Sequence, residues 1–210
     1  MNYQVEGAYR SGATSGLIAG VTTGSATNGH IWAARWAIGT PLTDRRRLAV
    51  IQRLRVRGFT VAGYTGAQEV RLALFRLTGF TALHTGGTGA AALTPTPKRS
   101  DMPATLMTGR IAGSDQLTAG THVIDTDPIS AGVFAELAAA ATVPKGAVEM
   151  FLSTEDLIQH PIILQANEGL LIRNEIAQGA GGSMRMVVEM DWLELERYPV
   201  GTYNVAKAVI

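Results

Sequence analysis

The sequence predicts an all-β fold, an antiparallel β-sandwich of jelly-roll type with an extended N-terminal arm and little helix, and three features point to it. Several segments alternate apolar and polar residues with a period of two, as a half-buried strand requires. Twenty-four glycines and eight prolines in 210 residues punctuate the chain with reversals. Only "FAELAAAA", residues 134–141, has helix propensity, and Pro144 and Gly146 confine it to about two turns, with a small-residue strand as the alternative. Hydrophobic residues make up 46% of the chain, enough for one substantial core.

Residues 1–29 are mainly Gly, Ser, Thr, Ala and Asn with scattered large apolar side chains, a composition that gains little burial by itself. They read as an arm, either a flexible terminus or one whose Tyr3, Val5, Tyr9, Leu17, Ile18 and Val21 dock on a partner. The sandwich domain is expected over 30–198. "HIWAARWAI" opens it with aromatic and β-branched residues, and "LAVIQRLRVRGFTV" sets Leu54 and Val56 against Arg53, Arg55 and Arg57. "QEVRLALFRL" repeats the device with Val70, Leu72 and Leu74, and a phase shift at Arg76-Leu77 predicts a bulge.

Residues 78–104, rich in glycine and proline, form a long loop or a broken strand. Short strands follow around Thr105–Ile111 and His122–Asp125. The last third reads as the strands "AVEMFLS", "HPIILQA", "GLLIRNE" and "SMRMVVEMDWLELE". In the last of these Met184, Met186, Val188, Met190 and Trp192 share a face. Leu193 and Leu195 then take over from Glu194 and Glu196, which predicts a bulge near Trp192. Residues 199–210 read as a C-terminal tail.

Net charge is +1, yet residues 1–110 carry 13 Lys/Arg against 4 Asp/Glu, and residues 111–210 carry 5 against 13. Opposite charges this close cancel much of each other's far field. The imbalance therefore predicts strands of the two halves interleaved in one sheet, or faces meeting between subunits. Arg45, Arg46, Arg47, Arg53, Arg55 and Arg57 form the strongest basic feature. Without interleaved aromatics they are read as a solvated face, or as partners for Glu189, Asp191, Glu194 and Glu196, and no specific nucleic-acid partner is expected. No apolar run approaches the ~18 residues of a membrane helix, and cysteine is absent. No membrane partner, disulfide or thiolate site is expected. The opening MNYQVEGAYR lacks the regions of a secretory signal, so a cytoplasmic site of synthesis is expected.

Catalytic patterns are missing. "GGTGAA" at 86–91 matches a loose dinucleotide-binding spacing, but Pro95 and Pro97 forbid the helix that such a loop must open. His30, His84, His122 and His160 are singletons far apart, so neither a metal nor a cofactor is expected. Asp125 and Asp127 lack the remaining ligands of a calcium loop. Glu168, within Asn167-Glu168-Gly169, is read as a hairpin-turn residue beside a glycine able to take positive φ. Trp32 and Trp36 are left as aromatic candidates for an interaction surface, while Trp192 reads as core.

The segment "HPIILQANEGLLIRNEIAQGAGGSMRMVVEMDWLELE", preceded by "MFLS" and far upstream by "IWAARWAI" and "LRVRGFTV", resembles virion structural proteins of tailed bacteriophages. The resemblance spans about residues 30–197, with 160–196 its distinctive part. It implies a non-enzymatic β-sandwich of the phage particle, a decoration or cement protein of the capsid made in the host cytoplasm and present in many copies. Its implied partners are itself, as a cyclic homo-oligomer such as a trimer, and the major capsid protein or another virion protein. A tail- or fibre-associated protein, a carbohydrate-binding module using Trp32 or Trp36, and a metal-dependent jelly-roll enzyme are the alternatives.

Overall fold

A computed structural model describes residues 2–21, 24–25, 27–37, 46–85, 87–136, 143–153, 161–179 and 181–198. Among the described residues, thirteen strands form two antiparallel sheets packed as a β-sandwich, and there is no helix. Sheet A holds β1 (Asn2–Thr14), β3 (Arg46–Ala62), β6 (Thr96–Pro97), β10 (Val143–Leu152), β11 (Ile162–Leu164) and β13 (Ser183–Tyr198). Its order is β10-β3-β13-β1-β6, with β11 pairing β3. Sheet B holds β2 (His30–Trp36), β4 (Gln68–Ala82), β5 (Ala91–Ala92), β7 (Met107–Ile111), β8 (Thr121–Ile124), β9 (Ser130–Glu136) and β12 (Gly169–Asn174). Its order is β5-β7-β2-β12-β4-β8, with β9 pairing β4.

Registers set the core. In sheet A, Ile51, Trp192 and Tyr9 lie in one row, Leu54, Met190 and Ser11 in the next, and Val56, Val188 and Ala13 in a third. In sheet B, Ile111, Trp32, Ile172 and Leu74 line up across four strands. All the apolar members of these rows are buried. Trp192 is fully buried and stacks on Tyr9 with ring centroids 5.7 Å apart.

Residues 2–14, expected as an arm, are a strand of the sandwich itself, in register with β13 along almost its whole length. Gly7, Tyr9, Ser11, Ala13 and Ser15 are buried, whereas Arg10, Gly12 and Thr14 are exposed. This is period-two alternation built from small residues, so apolar size did not reveal it. The smallness has a purpose at Gly7, where an added Cβ would lie 2.3 Å from the Tyr9 ring. Ile18 and Val21 are also buried in this chain's own core.

The bulge expected near Trp192 is present, between Asp191 and Trp192, but the extra residue is Gln52 in β3. β13 therefore keeps its phase: Glu194 stays buried and Leu193 and Leu195 are only half-buried. The shift expected at Arg76-Leu77 is absent from the ladder with β12, which is continuous there; the irregularity falls against β8, between Thr78 and Ala82. The helix read at 134–141 gives way at its start to β9, a strand that holds Phe134 to Glu136; residues 137–141 lie outside the described residues, as does the tail 199–210.

Asn167-Glu168-Gly169 is a turn, but one that joins the two sheets, since β11 pairs in sheet A and β12 in sheet B. Asn167 takes the positive φ, at 58°. Gly169 is required for another reason: a Cβ there would lie 2.3 Å from the Ala34 carbonyl oxygen and 2.7 Å from the Phe80 ring. The Glu168 carboxylate accepts from the Gln165 N–H at 2.7 Å and pairs with Arg76 at 2.7 Å. Its role is to hold the crossing.

Candidate functional site

The arginine strand came out as the charge pattern foresaw. β3, from the basic half, lies between β10 and β13, from the acidic half. Arg53 meets Glu149 through two bonds of 2.9 Å, Arg55 pairs with Glu189, and Arg57 lies 3.9 Å from Glu189. Asp191 pairs instead with Lys98 at 2.8 Å. Glu194, expected among these partners, is buried: it accepts from the Thr105 hydroxyl, the Leu106 N–H and the Trp192 indole N–H. Arg46 and Arg47 belong to β3, Tyr3 belongs to β1, and Arg45 lies outside the described residues.

Three of the aromatic candidates are removed from any surface. Trp32 and Trp36 are each 1% exposed and Tyr9 is 0% exposed, with its hydroxyl donating to the Pro103 carbonyl at 2.8 Å. A sugar platform needs open ring faces, so these tryptophans cannot supply one in this fold.

The structure brings together residues that the sequence kept apart. His30 opens β2, His84 follows β4 by two residues, and His122 sits in β8. Past Leu77, β4 leaves its ladder with β12 and bends at Gly79, which has φ 56°. The bend carries Phe80 onto Gly169, and the Thr81 carbonyl accepts from the Arg35 guanidinium of β2 at 2.5 Å. His84 is thereby delivered to the start of β2. Gly120, with φ 94°, turns the chain into β8 beside His122, where a Cβ would stand 3.3 Å from Nδ1 of that ring.

The three imidazoles form a tight group. His30 Nδ1 lies 3.0 Å from His84 Nε2, and His30 Nε2 lies 3.0 Å from the Ser25 carbonyl oxygen. The His84 and His122 ring centroids are 4.8 Å apart, and Phe80 presents edge contacts to both. His30 and His84 are buried and His122 is half-buried. Nδ1 of His84 and Nδ1 of His122 are buried without a hydrogen-bond partner. Burial pushes His84 down to about 3, helped by the neighbouring His30 and His122. Burial also pushes His30 down to about 4 against the raising effect of the Ser25 bond, and it lowers His122. At neutral pH the cluster is three uncharged bases. His160 lies outside the described residues.

Sequence reading missed this cluster because each ring comes from a different element and no spacing marks it. The only local hints are Phe80 four residues before His84 and Gly120 two before His122.

A recess of about 340 Å³ lies among Val21, Gly87, Thr88, Asp115, Gln116 and Thr118. Among the described residues Asp115 is the sole carboxylate in its lining, and no histidine lines it. Comparison of the chain with protein families, curated proteins and solved structures finds no match.

Proposed function

We propose that this chain is a non-enzymatic structural subunit that assembles with copies of itself and with a second protein of a phage particle, as a capsid decoration or cement protein. The flank of β1 is the main support. This strand is 13 residues long and lies against β13 on one side. On the other, among the described residues, it pairs only with the two-residue β6, at Tyr9 and Arg10, while the adjoining chain caps Ala8. An edge of this length offers backbone donors and acceptors that another chain can complete. Val5, 51% exposed, lies on the uncapped stretch.

The charge ladder on sheet A suits repeated contacts, since Arg57 and Glu149 keep substantial exposure despite their pairing. The phage setting follows from the resemblance of residues 160–196; a place on the tail or fibre is the alternative setting.

Multi-angle light scattering followed by co-sedimentation with empty phage heads, or with isolated tails, tests the reading. The expected result is a closed oligomer that sediments with one of these. Val5→Lys, which blunts the edge, is expected to lower the mass to that of a monomer with an unchanged circular dichroism spectrum. A wild-type chain that stays monomeric at ~100 μM, well above ordinary interface affinities, and ignores both particles would overturn it.

A further inference from the structure

We propose that His30, His84 and His122 bind one divalent transition-metal ion of the zinc, cobalt or nickel class, as a structural clasp joining the start of β2, the end of β4 and β8. Each ring offers one ligand nitrogen, and these nitrogens lie within 4.8 Å of one another. A tetrahedral zinc centre with Zn–N bonds of roughly 2.0–2.1 Å holds its nitrogens roughly 3.3–3.4 Å apart. His30 and His84, at 3.0 Å, already stand near that spacing. The third ring needs to move by on the order of 1 Å, and His122, being half-buried on a short edge strand, is the ring with room to do so.

Three further details fit a cation. The Ser25 carbonyl accepts from Nε2 of His30, which fixes the tautomer that leaves the Nδ1 lone pair facing the cluster. A carbonyl on the far nitrogen is how proteins commonly orient a metal-binding imidazole. Nδ1 of His122 is buried with no partner, although buried polar atoms are nearly always satisfied. The donor set is all imidazole, which suits zinc, cobalt, nickel or copper and disfavours calcium or magnesium. With three protein ligands the fourth position falls to water. Residues 30 and 84 are 54 apart in sequence, so an ion between them closes a long loop and restrains the bent end of β4.

The test uses the full chain, untagged and stripped with EDTA. Titration with Co²⁺ should raise a visible ligand-field spectrum that saturates at one ion per chain and is displaced by Zn²⁺. The melting temperature should rise with Zn²⁺ concentration. His122→Ala should keep the circular dichroism spectrum of the wild type. It should lose Co²⁺ affinity by more than the roughly 10–100-fold caused by removing a ligand's outer hydrogen-bond partner. No saturable one-to-one spectrum in the wild type, or an unchanged affinity in His122→Ala, overturns the proposal. Should that variant fail to fold, ring-nitrogen NMR of the wild type decides: Zn²⁺ must shift the resonances of His30, His84 and His122 together, and a response from one ring or none refutes the clasp. None of these readouts depends on subunit mass or on phage particles, so this site and the assembly reading stand or fall separately.

Discussion

Glu194 and the histidine trio are both polar groups inside a greasy sandwich, and they are treated in opposite ways. Around Glu194 three donors converge from β13 and the segment leading into β7, so the carboxyl is enclosed by partners. Around His84 a single hydrogen bond to His30 is accompanied by a bare Nδ1. A buried polar group that is fully matched reads as part of the scaffold, whereas one with capacity to spare points to something that arrives later.

The contrast can be broken most forcefully at Glu194. Glu194→Ala strands the Trp192 indole N–H and the Leu106 N–H in the interior and opens a cavity beside them. A loss of about 3 kcal/mol or more is expected, read as a lower urea midpoint. A variant as stable as the wild type would remove the distinction between the two sites.

Acid should sharpen it from the other side. The metal-free histidines have folded pKa values below the ordinary 6.5, at about 4 for His30 and about 3 for His84. The unfolded chain then binds more protons than the folded one between those values and about 6.5. Their contribution is complete above pH ~6.5 and is lost as pH falls through about 4 for His30 and about 3 for His84. Chemical denaturation of EDTA-treated protein across pH 7 to 4 should show stability declining with a slope that is clearly reduced in His30→Phe/His84→Phe. An unchanged slope would mean that these rings are not kept neutral by burial.

The smallest effect is expected at the surface. Arg53 and Glu149 are each more than a third exposed, so Arg53→Ala should leave the urea midpoint almost unchanged, and raised salt should shrink the difference further.

Most of the sandwich could be read from the chain because large side chains in alternation carry the signal. β3 and β13 are examples, with Leu54 and Val56 on one strand and the Met184-to-Trp192 face on the other. β1 was hidden because its inward residues, Tyr9 apart, are glycine, serine and alanine, which measure as linker while packing as strand. Glu168 was recognised as a turn residue from its setting, but not as the link between sheets, because pairing partners are set by distant residues. The histidine cluster lay beyond reach for the same reason: it exists only once β4 bends over β2. The tryptophans show the converse. Large rings on a strand fit a binding face and a core equally well in sequence, and only the second sheet settles which.

The pairing of β1 with β13 sets Asn2 opposite Tyr198 and Thr14 opposite Val187. During synthesis the first strand must therefore wait, with its ladder incomplete, until nearly two hundred residues have followed it. Closing so wide a loop comes late and is entropically expensive. The strand that finishes last inside one molecule is also the one most easily lent to a neighbour, so refolding at high concentration should favour exchanged dimers in which each first strand completes the other copy's sheet.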